Sequence, residues 1–317
     1  MIALILIAMA AGSASALMFA SIVSGAPISL LLFYLAPLPL MVAGLGWGPL
    51  SATVGGIAAA IGLGALFGLP YCIAFVLAVA LPAWWLGHLA LLGRPVAAGA
   101  APSDNAASLE WYPVGRILLW VVAFATITTT ATLLTLGSDA PTITGTIRAA
   151  LTSFMESAEI TPSQRGIDAL VKIAPAAAAI VAMMTLTLNL WLATKIAATS
   201  GRLHRPWPEL RSMALPPMTL ATLCVAIAFC FTGGLLAMLA QIVTAALMMA
   251  YTLIGFTVLH TVTLALKSRV LWLSCTYTIV IVFGWPMLAM TALGLADAVF
   301  GIRQRYWRSR PPPLPVS

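Results

Sequence analysis

The chain has 317 residues, 62% of them hydrophobic and only 7% charged, with a net charge of +7. Soluble domains carry about 25% charged residues, so the composition excludes an ordinary water-soluble fold and points to lipid as the solvent. Long apolar runs rich in Ala and Leu, without short alternating segments, argue against a β-barrel. The Lys and Arg residues sit between those runs and form no basic stripe interleaved with aromatics, which argues against nucleic-acid binding.

A spanning helix needs roughly 20 apolar residues. The first candidate is Ile2–Val23; its stretch from Ile2 to Phe19 ends near Ala14-Ser15-Ala16, which resembles a signal-peptidase site and leaves cleavage as the alternative. A signal peptide opens with a basic region, and Met1 is followed directly by apolar residues, so the run reads as a retained helix. Ile28–Ala43, Pro49–Phe67 and Tyr71–Leu92 follow. Their connections are short and uncharged: Gly25-Ala26-Pro27, Gly46-Trp47-Gly48-Pro49 and Gly68-Leu69-Pro70. These turn signals predict tight helical hairpins and a compact four-helix unit over residues 1–92.

Residues 93–113, with Arg94, Asp104 and Glu110, read as a flexible cytoplasmic loop. Val114–Leu136 is the next crossing. The loop 137–172 leans acidic. Within it, Ile147, Leu151, Phe154 and Met155 share one face at helical spacing, and Thr161-Pro162-Ser163-Gln164 fits a capping box with Pro at the first helical position. The pattern predicts two short helices at the membrane surface. Ile173–Thr194 follows, then a basic loop over 195–217 with Lys195, Arg202, Arg205 and Arg211 against Glu209. The remaining runs within 114–300 are Met218–Leu235, Leu239–Leu266 and Val270–Ala296. Residues 301–317 form a basic, Pro-rich tail; Pro311-Pro312-Pro313-Leu314-Pro315 reads as an extended, disordered end. The fold class is all-α, a polytopic transmembrane bundle of eight or nine membrane segments.

Basic loops face the cytoplasm. That rule places loop 195–217 inside, loop 137–172 outside and the N-terminus inside. It also creates a conflict, because one more crossing after Lys267 and Arg269 would carry Arg303, Arg305, Arg308 and Arg310 outside. Either one segment is re-entrant, or the last run is a hairpin bent near Gly284-Trp285-Pro286. Trp84, Trp85, Trp111, Trp191, Trp207, Trp272 and Trp307 lie near segment ends, as interfacial belts require.

Small residues four apart, Ala10 with Ala14, Gly44 with Gly48 and Gly64 with Gly68, allow close helix approach in lipid and read first as packing within the chain. Intramembrane polar residues are costly and mark candidate sites. They are Asn189, Gln241 at the start of its segment, His260 and Asp297. A hydrogen-bonded packing role suits His260 beside Thr257 and Thr261, and Asp297 stands close enough to pair with the Arg303 cluster. Thr128, Thr132 and Thr135 can bond back to their own helix. Cys72, Cys224, Cys230 and Cys275 lie in apolar runs without a C-x-x-C pair and read as core residues rather than a disulfide or metal set. No phosphate loop, H-E-x-x-H or G-x-S-x-G motif is present, and His88, His204 and His260 are scattered. The sequence supports no enzyme and implies no cofactor.

Several features together resemble one family. They are the hairpin around Pro37-Leu38-Pro39 and Gly46-Trp47-Gly48-Pro49, and Asn189 followed by the basic Arg202–Arg211 stretch ending at Leu215-Pro216. They continue in the run from Leu253 to His260 and in Gly294-Leu295-Ala296-Asp297 with Arg303. The chain resembles the YybS-like predicted bacterial membrane proteins, a family of unknown function. That family is distantly similar to the substrate-binding S components of energy-coupling-factor vitamin transporters and to the cell-shape protein MreD. The resemblance implies a multi-pass protein of the bacterial inner membrane. It also implies a subunit that captures a small molecule and borrows an ATPase module from other chains, or a scaffold assembling with other envelope proteins. In S components an Ala-x-x-x-Ala face of the first helix docks the membrane coupling subunit, and Ala10 and Ala14 match that spacing.

Overall fold

Lipid offers backbone groups no hydrogen-bond partners, so each apolar run closes its own bonds as a helix. The computed structural model describes residues 2–95, 109–160, 163–207 and 213–308. α1 (Ile2–Ala20) ends in a 3-10 turn and Gly25. α2 (Pro27–Leu35) and α3 (Pro37–Trp47) make one bent crossing. α4 (Pro49–Phe67) follows, then α5 (Leu69–Phe75) and α6 (Leu81–Leu91), joined by a π turn over Val76–Ala80. Proline occupies the first turn of each helix from α2 to α6; at Pro27, Pro49 and Pro70, where a turn precedes the helix, its missing N–H costs nothing. Gly48 and Gly68 reverse the chain at φ +92° and +90°, a region that favours glycine.

Segment 93–113 departs from the expected flexible loop at both ends. Gly93–Pro95 (β1) pairs antiparallel with Leu109–Trp111 (β2), and Arg94 bridges Glu110 at 2.7 Å. α7 (Val114–Leu136) is followed by α8 (Ala140–Ser157) and α9 (Gln164–Thr199). The expected pair of surface helices is realised only in part. α8 is separate, but the second is the opening of α9, which runs 36 residues, or about 54 Å. No breaker separates Arg165, Asp168 and Lys172 from the apolar run, so they extend its helix beyond a hydrocarbon core of about 30 Å. Ser163 caps it, its hydroxyl accepting from the Gly166 N–H. Thr161, Pro162, Asp104, Glu209, Arg211, Arg310 and the proline-rich tail lie outside the described residues.

α10 (Met218–Phe229) stops short of the expected Leu235, because Gly233 and Gly234 both turn with positive φ. α11 (Gly234–Val262) therefore starts earlier, and Gln241 lies inside it rather than at its start. The last run is broken at Gly284 into α12 (Arg269–Phe283) and α13 (Met287–Phe300), followed by α14 (Ile302–Arg308). Among the described residues seven spans are long and apolar enough to cross a membrane; α10, α12 and α13 are shorter apolar helices. Many large apolar side chains lie exposed on the outer faces, such as Ile2, Leu66, Ile61 and Ile281. A soluble protein does not present such a surface. The chain is a multi-pass helical membrane protein.

Side-chain pairs fix the register of the last helices. Thr219 meets Tyr251 at 2.8 Å and Cys230 meets Thr244 at 3.5 Å, so α10 runs antiparallel to α11. Thr252 meets Thr291 at 2.7 Å, and Arg303 donates to Thr257 at 3.2 Å. α13 is therefore parallel to α11, and α12 carries the chain back between them. The tip of the α12–α13 hairpin lies level with about Met248, near the middle of α11. Of the two sequence alternatives, the structure shows the hairpin bent at Gly284. The Arg303 cluster consequently returns to the end that carries Lys267 and Arg269. The chain also enters α10 from that end, since Thr219 pairs with Tyr251 and Cys230 with Thr244, and there a Cβ on Gly115 in the first turn of α7 would overlap the Ala214 carbonyl.

One core runs from Phe19 to Val258, and small residues set its closest contacts. A Cβ on Gly12 would overlap the Gly55 carbonyl, and one on Gly55 the Ala8 carbonyl. α1 thus packs on α4 through Ala8, Gly12 and Ser15. Ala10 is exposed and Ala14 half-buried, so this spacing is not used within the chain, contrary to the first reading. Gly44 and Gly64 do pack internally, against Ala52 and Cys72. The cysteines differ from expectation too: Cys224 and Cys275 are exposed, and Cys72 and Cys230 half-buried. A lipid-facing site accepts a weakly polar thiol as readily as the core does.

Gly255 and Gly294 bring α11 and α13 together, each leaving no room for a Cβ beside the other helix's backbone at Met290 and Tyr251. Gly255→Leu should force the helices apart. Expected are a lowered unfolding temperature and loss of the monodisperse peak on detergent size-exclusion chromatography; a wild-type profile would contradict this packing.

Candidate functional site

Three irregularities hold helices apart on the side of α8. Pro37 lacks an N–H, and the chain bends between α2 and α3. The π turn at Val76–Ala80 widens the α5–α6 crossing. Pro175 lies inside α9 and leaves the Val171 carbonyl without its helical donor. Between them lies a cavity of about 410 Å³, within the range of small-molecule pockets. Phe19, Phe33, Val79, Leu133 and Leu186 supply apolar wall, and Ile147 of α8 lies over it.

The polar lining consists of Tyr34, Thr128, Thr129, Thr132 and Thr185, and among the described residues no charged side chain reaches it. Thr128 donates to the Phe124 carbonyl at 2.7 Å and Thr132 to the Thr128 carbonyl at 2.9 Å. Their protons are used along the helix, so their oxygens remain as acceptors. Asn189 sits one turn below Thr185, 1% exposed. Its amide N–H groups donate to the carbonyls of Tyr34 and Thr185, both at 2.8 Å. Pro37 removes the helical donor of the Phe33 carbonyl, which accepts from the Ala36 N–H at 3.2 Å instead, and Asn189 meets the next carbonyl along, that of Tyr34. Asn189 Oδ1 is buried without a partner. The cavity thus presents an apolar wall and a set of acceptors.

α8 is tied over this end. Asp139 caps it by accepting from the Thr142 N–H at 2.8 Å, and the Thr142 hydroxyl together with that N–H holds the carboxyl below the ordinary range. Ile143 is fully buried, Thr146 donates to the Leu136 carbonyl, and Arg148 bridges Asp168 at 2.6 Å.

The opposite end is cationic. Arg205 donates to the carbonyls of Ala90 and Tyr112 at 3.1 and 3.0 Å. Arg202 lies 4.8 Å over the Trp47 ring and Lys195 4.2 Å over Trp207. Loop 195–217 is thereby clamped onto the ends of α3, α6 and β2.

The sequence candidates do not converge on one site. Asn189 adjoins the cavity. Gln241 is half-buried on α11. His260 pairs with Tyr277 through Nε2 at 2.8 Å. Asp297 accepts from Arg303 through Nε at 2.8 Å, Nη2 at 2.7 Å and the backbone N–H at 2.9 Å. Ala10 and Ala14 lie on the outer face of α1. Sequence reasoning missed Tyr34, Thr129, Thr185 and Pro175 as lining; a proline inside an apolar run was the available signal. Comparison with protein-family models, curated proteins and solved structures finds no match.

The Asp297–Arg303 pair is nearly buried, at 7% and 8% exposure, and removing one partner strands the other's charge. Asp297→Ala should cost about 3 kcal/mol in reversible unfolding, and Asp297→Ala with Arg303→Met should regain most of it. A single variant as stable as the wild type would show that the pair carries no such weight.

Proposed function

We propose that this protein captures a small molecule from the outer side of the bacterial plasma membrane, as a YybS-like, S-component-like subunit. The cavity carries this reading. In the proposed orientation the clamped basic loop and the Arg303 cluster lie in the cytoplasm and the N-terminus lies inside. The cavity then opens in the outward half, under α8. Its ligand is neutral, because no charged group lines the wall to compensate a buried ion. It is largely apolar and bears hydrogen-bond donors to meet the acceptors of Thr128 and Thr132. The face of α1 with exposed Ala10 and half-buried Ala14 supports docking to a membrane coupling subunit with its ATPase module. A non-enzymatic scaffold of envelope assembly is the second reading; it needs that face but not the cavity.

Ala182 lines the cavity. Organic extraction of the purified protein should release an enriched neutral compound, reduced roughly tenfold in Ala182→Phe, a loss of about 1.4 kcal/mol. Identical extracts from a folded variant would favour the scaffold.

Sidedness is testable separately. With the native cysteines replaced, Gln304→Cys and Lys267→Cys should be protected in intact cells from an impermeant maleimide, whereas Glu156→Cys should react. Labelling of Gln304→Cys alone among the first two would contradict the returning hairpin.

A further inference from the structure

At the elbow between α11 and α12 a second group of side chains is left incompletely satisfied, far along the bundle from the cavity. Arg269 opens α12, and its Nε is buried with no hydrogen-bond partner. Its Nη2 lies 3.5 Å from His260 Nδ1, at the outer limit of a hydrogen bond. Facing a guanidinium, that nitrogen is the acceptor, which leaves Nε2 as donor to the Tyr277 hydroxyl. Arg269 is therefore held in place by neutral groups, and none of them balances its charge.

Charge around the elbow is unbalanced as well. Residues 260–308 hold Lys267, Arg269, Arg303, Arg305 and Arg308, and Asp297 is their sole carboxylate. Arg303 engages both oxygens of Asp297. The first turn of α12 has no side-chain cap, since Ser268 makes none. Its free N–H groups and positive dipole end add to the demand for an anion.

The surface beside the elbow says which kind of anion. α12 has no buried residue, and Val270, Leu271 and Trp272 stand exposed next to Arg269. A free anion would leave that apolar surface uncovered, whereas a lipid would meet the guanidinium with its phosphate and α12 with its acyl chains. Trp272 beside the cations matches the interfacial depth at which headgroups lie.

We propose that the α11–α12 elbow binds the phosphate of an anionic phospholipid, with Arg269 as principal ligand, Lys267 at the rim and the apolar flank of α12 along the acyl chains. Guanidinium and phosphate form charge-assisted, often bidentate hydrogen bonds. The bound lipid supplies the counter-charge that the described residues do not supply to Arg269, and it holds the hairpin against α11 through His260 and Tyr277.

The test uses the full-length protein and native mass spectrometry with phosphatidylglycerol or phosphatidylcholine of identical acyl chains, and with inorganic phosphate. Phosphatidylglycerol should be retained and should raise the unfolding temperature, with phosphatidylcholine doing neither. Arg269→Gln should retain roughly tenfold less phosphatidylglycerol, Lys267→Gln a few-fold less, and Arg148→Gln at the opposite end as much as the wild type. Should Arg269→Gln fail to fold, the two-lipid comparison on the wild type decides alone. Equal retention of both lipids, wild-type retention by folded Arg269→Gln, or equal stabilisation by inorganic phosphate would each overturn the proposal.

Discussion

A backbone group freed inside a bilayer has no water to bond, and this constraint governs every interruption in the bundle. Several breaks carry a polar side chain that meets nearby carbonyls. Asn189 donates to the Tyr34 carbonyl beside the break at Pro37. Ser51 donates to the carbonyls of Ala43 and Gly48 at the α3–α4 turn. Thr219 donates to the Pro216 carbonyl at the start of α10, and Arg205 takes the last carbonyl-rich turn of α6 together with Tyr112. The few polar residues of a chain that is only 7% charged are concentrated where the backbone needs them.

The same constraint divides the molecule into places where helices touch and places where they stand apart. Glycines at 12 and 55, and at 255 and 294, let backbones meet directly, which is how helices associate where lipid removes the hydrophobic drive. Prolines 37 and 175 and the π turn at Val76–Ala80 act the other way, spreading three crossings around one cavity. An irregularity of this kind carries an energetic cost, so three around one space are better explained by a use for the space than by packing.

Most crossings were legible because each is a long apolar run bounded by Gly, Pro or charge. Their ends followed from turn residues acting locally, as at Gly48 and Gly68. What was not legible depends on partners distant in sequence. The Ala10–Ala14 spacing was visible, yet the packed face is offset to Ala8 and Gly12, because Gly55 of α4 selects it. Composition could not distinguish one long span over Val270–Ala296 from two half-length helices; Gly284 and Pro286 allow both, and the Gly255–Gly294 contact settles it. Asn189 stood out as polar, but its role rests on a carbonyl 155 residues away.

Intramembrane polar residues are functional candidates by default, and bond-by-bond accounting narrows them. Asp297 is matched by Arg303, His260 by Tyr277, and the threonines of α7 by their own helix. Among the described residues the buried orphan atoms are on Ser15, Trp85, Thr126, Thr187, Asn189 and Arg269. A hydroxyl can rotate to an i−4 carbonyl of its own helix. The Trp85 N–H lies among the rings of Trp84, His88 and Trp120, where an aromatic face can accept it. Asn189 Oδ1 and Arg269 Nε have no such local remedy, since each belongs to a planar group already fixed by its other bonds. One adjoins the cavity and the other lies at the cationic elbow, so the two deficits the fold cannot repair internally fall at its two candidate binding sites.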